Sequence, residues 1–308
     1  MLAKSQLEKS QQIRKRAIVA RKATNFLFNQ FRFFGSRKLG RFISKLLLPK
    51  LGKEGLIIPT IYGFDMLTNN NGGLETYYLG FYEVGTLHVI EHCLNENDNF
   101  IDVGASIGLM SLVAAKNNGN GKVFSFEPQS ERFTYLDYNV QLNKQKNIKI
   151  FNNGLGKTKD SLKLYTDVNS PSIVDSNNNT SAYETIDILV LDEILEKEGI
   201  ETVKLIKIDV EGFEIPVLQG AERLLSSADA PIICVEYVKR LQKQHDNTAS
   251  LFEYIKGIND YKIFQLQKST NTISKLVERK TENELRDFDN IFCFTPKHFK
   301  QIDVKELF

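Results

Sequence analysis

FIDVGASIG, residues 100–108, decides how this chain folds. Phe100 to Val103 read as a short apolar strand, with Asp102 standing just before a turn. Gly104 opens that turn and Gly108 begins a helix. A tight turn with little side-chain bulk lets a ligand approach the backbone. The helix that follows presents unpaired N–H groups and positive dipole density. A pyrophosphate or a carboxylate suits such a place, and two of the three glycines of the dinucleotide fingerprint do not choose between them.

Downstream, KVFSFEP ends in Glu127, about 20 residues after the turn and at the tip of the neighbouring strand. A carboxylate there accepts hydrogen bonds from both hydroxyls of a ribose, so the two signals together point to an adenosine ligand. Beyond Gly73 strands and helices alternate. The strands are 99–104, 122–127, 148–153, 203–209, 231–237, 261–267 and 290–296. Apolar stripes such as Leu109, Leu112 and Val113 mark the helices between them. SLKLY (161–165) and ETIDILV (184–190) predict an inserted strand pair, and Asp192 reads as the N-cap of EILEKE. The predicted fold is α/β, a Rossmann-like seven-stranded sheet with helices on both faces.

VKLIKIDVEGFE (203–214) places Asp209, Glu211 and Glu214 just past a strand end, where open α/β sheets form their ligand crevice. IICVEY adds Glu236 and Tyr237 at the same rim. Several carboxylates with no histidine nearby suit proton abstraction from a hydroxyl, or binding of a divalent metal, and not hydride transfer. Glu211 and Glu214 also suit the first turn of the following helix, which favours acids. His88 and His92 have metal-binding spacing, but HVIEH lacks the zinc-protease order and reads as solvated helix.

FIDVGASIGLMSL, SFEPQSERFTYLDYNVQLN, NNGLG, LIKIDVEGFEIPVLQGA and ICVEY, in this order, resemble the FkbM-type methyltransferases, and GFYE at 80–83 matches that family's lead-in. The resemblance covers roughly residues 75–300, and departs from the family at Ser106 and Gly154, commonly Asn and Ala. It implies a class I fold using S-adenosylmethionine and O-methylation of sugars, polyketides or related hydroxylated molecules. Asp102 would then hold the methionine amino group, Gly104 and Ala105 its carboxylate, and Glu127 the ribose. Ser106 and Gly108 complete the cofactor turn, and Asn152 or Asn153 lies near adenine. Asp209 is the candidate base or metal ligand, with Glu211 and Glu236 as partners. Asp209 and Glu236 are the candidate ligands for magnesium or manganese. Two other readings stay open, a nicotinamide-dependent oxidoreductase and a non-catalytic adenosine-binding scaffold.

The 308 residues are 42% hydrophobic and 25% charged, an ordinary globular balance. Three scattered cysteines make no disulfide framework; Cys234 and Cys293 lie in apolar runs and read as buried thiols. The net charge of +2 hides an asymmetry. Residues 1–50 hold 13 of the 40 bases and only Glu8 of the 38 acids, leaving 27 bases against 37 acids in the rest. Residues 1–72 are accordingly expected to be a basic, helical extension, and 73–308 the catalytic domain. Leu39, Phe42, Ile43 and Leu46 share one helical face, Lys38, Arg41 and Lys45 another. With five phenylalanines between 26 and 34, residues 26–51 suit an anionic lipid surface better than nucleic acid. An oligomer contact is the alternative. The absence of a secretory apolar stretch makes a cytoplasmic location, at the inner face of the membrane, the expectation. The acceptor would then be a hydroxylated small molecule or lipid-linked glycan, its pocket built by the helical lead-in and the loop at 166–184.

Overall fold

The computed structural model describes residues 56–68, 82–166, 172–173, 182–241, 249–301 and 304–308. The basic segment through residue 55, residues 69–81 and most of the 166–184 loop lie outside these residues, as do the expectations placed on the basic segment and the loop. The described residues belong to two compact units. One reaches to Val84 and includes Tyr138–Lys144; the other holds Gly85–Asp137 and Gln145–Phe308.

In the first unit, β1 (Leu56–Pro59) and β2 (Asp65–Thr68) pair antiparallel, Ile57 opposite Leu67. Residues 56–68 of the expected helical extension are thus a hairpin, because alternation buries Ile58 and Met66 together on one side. Asn139 accepts from the Leu67 N–H at 2.6 Å and donates to its carbonyl at 3.0 Å. Asn143 does the same for Asp65, at 3.1 and 2.7 Å. Four helical residues rise about 6 Å and two strand residues about 6.7 Å, so two side-chain amides can stand in for a third strand.

In the remainder the chain runs α1 (Val84–Cys93), β3 (Phe100–Val103), α2 (Leu109–Asn117), β4 (Val123–Phe126), α3 (Ser130–Leu142) and β5 (Ile148–Phe151). Three short strands follow, β6 (Gly154–Leu155), β7 (Asp160–Tyr165) and β8 (Tyr183–Leu189). Then come α4 (Leu191–Glu198), β9 (Leu205–Ile208), α5 (Glu214–Gln219), α6 (Glu222–Leu225) and β10 (Ile232–Val238). The last are α7 (Leu251–Ile258), β11 (Lys262–Leu266), β12 (Leu276–Arg279) and β13 (Phe288–Phe294).

Among the described residues the main sheet has the order β12-β11-β13-β10-β9-β3-β4-β5. β10, β9, β3, β4 and β5 are parallel, while β13 runs antiparallel between β10 and β11. All seven expected strands are present. The eighth, β12, is a correction: it pairs antiparallel to β11 at the edge and leaves Val277 and Glu278 exposed, so no apolar run announces it. β6, β8 and β7 make a separate small sheet, whose antiparallel β7 and β8 are the expected inserted pair.

Alternation divides the central strands. Ile101, Val103, Phe124, Phe126, Ile206 and Ile208 belong to the larger core. The residues between them, Ser125, Asp102 and Lys207, stand in register on the opposite face. A second correction concerns Asp192. The helix it was expected to cap starts at Leu191, with Val190 as its cap. The Asp192 carboxylate instead accepts the N–H groups of Arg223 (2.7 Å) and Leu224 (3.1 Å), capping α6.

Candidate active site

β3 stops at Val103 and the chain turns at Gly104, φ +79°. A Cβ at Gly104 would fall 1.9 Å from the Asp209 carbonyl oxygen, so no other residue fits. The obstacle is the tip of β9, whose Asp209 N–H donates to the Val103 carbonyl at 3.0 Å. The glycine turn and the main crevice carboxylate are therefore parts of one backbone joint. Gly104 and Ala105 both donate to the Phe126 carbonyl at 2.9 Å. The donors assigned from sequence to a ligand carboxylate are spent tying β3 to β4. The start of α2 remains available to an anion: Gly108, φ +94°, caps it without any side-chain bond.

Ser106 takes φ +51° and donates its N–H to Glu127 Oε2 at 2.8 Å, while Gln129 N–H reaches Oε1 at 2.9 Å. Glu127 thus brackets the turn, and each of its oxygens can accept a further bond. It is buried; desolvation, opposed by Arg132, pushes its pKa up to about 7. Asn152 donates to the carbonyls of Glu127 and Pro128, at 2.9 and 3.1 Å, and so shapes the tip of β4. Asn153 reaches the Asp187 carbonyl at 3.5 Å. Asp102 is fully buried and accepts from Ser111 Oγ at 2.6 Å. Its Oδ1 has no hydrogen-bond partner among the described residues. Burial raises the Asp102 pKa, against the pull of Lys207.

The carboxylates singled out from sequence do converge. Oxygens of Asp209, Glu211 and Glu236 lie within 4.8 Å of one another. The first follows β9, the second sits in the next turn at φ +52°, and the third is on β10. Glu236 Oε2 is buried with no hydrogen-bond partner among the described residues. Burial, then the charges of Asp209, Glu211 and Glu214, raises the Glu236 pKa strongly. Glu214 takes the helix-start role, accepting from Gly212 N–H at 2.9 Å, and burial pushes its pKa up to about 7. Sequence reasoning missed Lys207, whose Nζ lies 2.9 Å from Asp209 Oδ2. The available signal was a lysine inside an otherwise apolar strand. The His88 and His92 rings meet tilted, with centroids 4.0 Å apart, and His92 Nε2 pairs with Glu306 at 2.7 Å. All three cysteines are buried thiols.

The sequence pattern of the methyltransferase FkbM domain matches residues 102–262, just over half of the chain. The chain belongs to the FkbM methyltransferase family. It is 24% identical over 201 residues to methyltransferase sdnD of Sordaria araneosa, covering 51% of this chain and 78% of that one. It is 26% identical over 148 residues to methyltransferase 1 of Beauveria bassiana, covering 41% of this chain and 59% of the relative's length. Among solved structures, precorrin-6y C5,15-methyltransferase of Geobacter metallireducens is 12% identical with a TM-score of 0.40, covering 69% of this chain and 86% of that one.

This FkbM protein is an S-adenosylmethionine-dependent methyltransferase, and its residues fit that cofactor. The uncapped start of α2 suits a carboxylate, the remaining acceptor capacity of Glu127 suits ribose hydroxyls, and the unsatisfied Asp102 Oδ1 suits an amino group. A divalent cation fits less well. Three clustered carboxylates are hard oxygen ligands, yet the Lys207 ammonium already bonds one of them, at Asp209 Oδ2.

Proposed function

We propose that this FkbM methyltransferase methylates a hydroxyl oxygen of a glycan or related hydroxylated natural product, with Asp209 as proton acceptor and Glu211 and Glu236 as its partners. One observation carries the reading: three carboxylates within 4.8 Å, joined through the Asp209 backbone to the glycine turn. Asp102, the start of α2 with Ser106 and Gly108, and Glu127 would hold the cofactor, with Asn152 and Asn153 towards adenine. When bound, S-adenosylmethionine supplies a methyl group on sulfonium, already a good electrophile.

What the chain must add is alignment and removal of a proton. With the cofactor bound, Asp209 would take the hydroxyl proton of the acceptor as that oxygen is methylated. An ordinary carboxylate is a feeble base for an alcohol. Its side chain is only 20% exposed, so a bound acceptor meets the carboxylate with little water between them, and proton removal need only accompany methyl transfer to a strong electrophile. Glu236, with its raised pKa, keeps the neighbouring site from carrying full negative charge. The acceptor is of the class found on cytoplasmic small molecules or lipid-linked glycans.

Transfer of radiolabelled methyl from the cofactor to glycan and lipid extracts tests the acceptor class. Asp209→Asn keeps the shape and removes the charge. It should cut label transfer by about 100-fold or more, the usual scale for a positioned proton acceptor, while leaving S-adenosylhomocysteine binding unchanged. Near-normal transfer by that variant would show that Asp209 is structural.

A further inference from the structure

We propose that Lys207 is the resident cation of the acceptor carboxylates, occupying with its ammonium the place a divalent metal would take on Asp209. The inference rests on Asp209 facing the acceptor and deepens that reading. Lys207 lies in β9, a strand buried along its length, directly beside Asp102 of β3 and Cys234 of β10. Neighbours in register share a sheet face, so the lysine stem lies on the face that carries Asp102. Its side chain is 5% exposed.

A buried ammonium is strongly disfavoured unless a carboxylate meets it, and here Asp209 does. Nζ bonds Asp209 Oδ2 at 2.9 Å, and Asp209 in turn lies within the 4.8 Å group that includes Glu211 and Glu236. Asp102, fully buried one strand away, adds a further acid in the field of the same ammonium. A lysine in such a cluster does electrostatically what magnesium does elsewhere. It offsets the acids' mutual repulsion and fixes the orientation of one carboxylate. A metal ion entering the group would meet that ammonium across a shared carboxylate and repel it with a doubled charge. Lys207 is on this view a positioning residue, acting through Asp209, and the group has no vacancy for a second cation.

The test titrates MnCl2 into the EDTA-dialysed full-length protein, followed by manganese EPR and calorimetry, with S-adenosylhomocysteine titrated into the same samples. Wild type and Lys207→Arg, which keep a cation, should show no saturable manganese binding. Lys207→Met should gain manganese affinity by about tenfold or more, and Lys207→Met/Glu236→Gln should lose that gain. Manganese binding by the wild type that Glu236→Gln abolishes would overturn the proposal. So would a Lys207→Met protein that is folded and binds S-adenosylhomocysteine but gains no manganese affinity. Should Lys207→Met not fold, the wild-type titration decides alone: saturable manganese binding that Glu236→Gln abolishes contradicts a resident ammonium, and its absence supports one. Failure here is distinct from failure of the catalytic reading, because the titration reads charge at the group and the Asp209→Asn assay reads methyl transfer.

Discussion

Glu127 uses one carboxylate twice: it bonds the Ser106 and Gln129 N–H groups, and it is the proposed ribose ligand. Glu127→Ala should weaken S-adenosylhomocysteine binding by about 1.5–3 kcal/mol, because the lost bonds involve a charged acceptor. Calorimetry measures this, and unchanged affinity would remove Glu127 from the cofactor site. Glu127 and Glu214 share a further property, each carried by burial to a pKa of about 7 from an ordinary 4.5. A raised carboxyl pKa means the folded protein holds the proton more tightly than the unfolded chain. The stability it contributes is complete below about pH 4.5 and is lost as pH rises through about 7. The melting temperature of the cofactor-free protein should therefore fall between about pH 5 and 8. Glu214→Gln, which keeps an oxygen for the Gly212 N–H, should flatten that fall in calorimetric scans; an unaltered slope would mean that Glu214 is not one of its sources. At this scale the position of an acid along the chain was easier to read than what that acid touches. Glu127, Asp209, Glu211 and Glu236 were all legible as acids at strand ends. That Gly104 is required by the Asp209 carbonyl, and that Lys207 bonds Asp209, was not.

Elements with a strong period were legible, and those defined by remote partners were not. β3, β4, β9 and β10 are short apolar runs ended by turn residues, and the structure has them at the expected places. Asp192 shows the limit. From sequence it belongs to the helix that starts beside it, but its oxygens bond α6, 31 and 32 residues away. Asp192→Ala should lower stability by about 1 kcal/mol, the usual worth of a helix cap, and leave cofactor affinity unchanged. Urea denaturation checks the first part and calorimetry the second; a stability loss below measurement would mean that solvent replaces the cap. The β1–β2 hairpin was missed for a related reason. Its open edge is satisfied by Asn139 of α3 and Asn143 just past that helix, so no third strand marks it in the sequence.

Across the whole molecule, charge is segregated, with a strongly basic first 50 residues and an acidic remainder. Among the described residues no helix is long and apolar enough to cross a membrane. Reversible attachment of residues 26–51 to anionic membranes is proposed from their pattern, since each base near an anionic leaflet contributes about 1 kcal/mol and the aromatic side chains add apolar burial. The full-length protein should sediment with vesicles containing phosphatidylserine and not with purely zwitterionic ones. A triple change of Lys38, Arg41 and Lys45 to Ser should weaken that association by about 100-fold, the loss of three contributions of about 1 kcal/mol each. Equal sedimentation with both vesicle types would favour an oligomer contact or internal packing for this segment.

The sequence by itself determined the layered α/β fold, its seven principal strands and the residue types at each strand end. These follow from local periodicity and from turn chemistry, both confined to a few neighbouring residues. The tertiary structure alone decided which groups share a site. Asp209, Glu211 and Glu236 come within 4.8 Å because β9 and β10 are parallel neighbours in the sheet. It also decided that the Gly104 and Ala105 donors serve the Phe126 carbonyl and not a ligand. Buried polar groups must find partners wherever the fold brings them, and that choice is made between residues far apart in the chain.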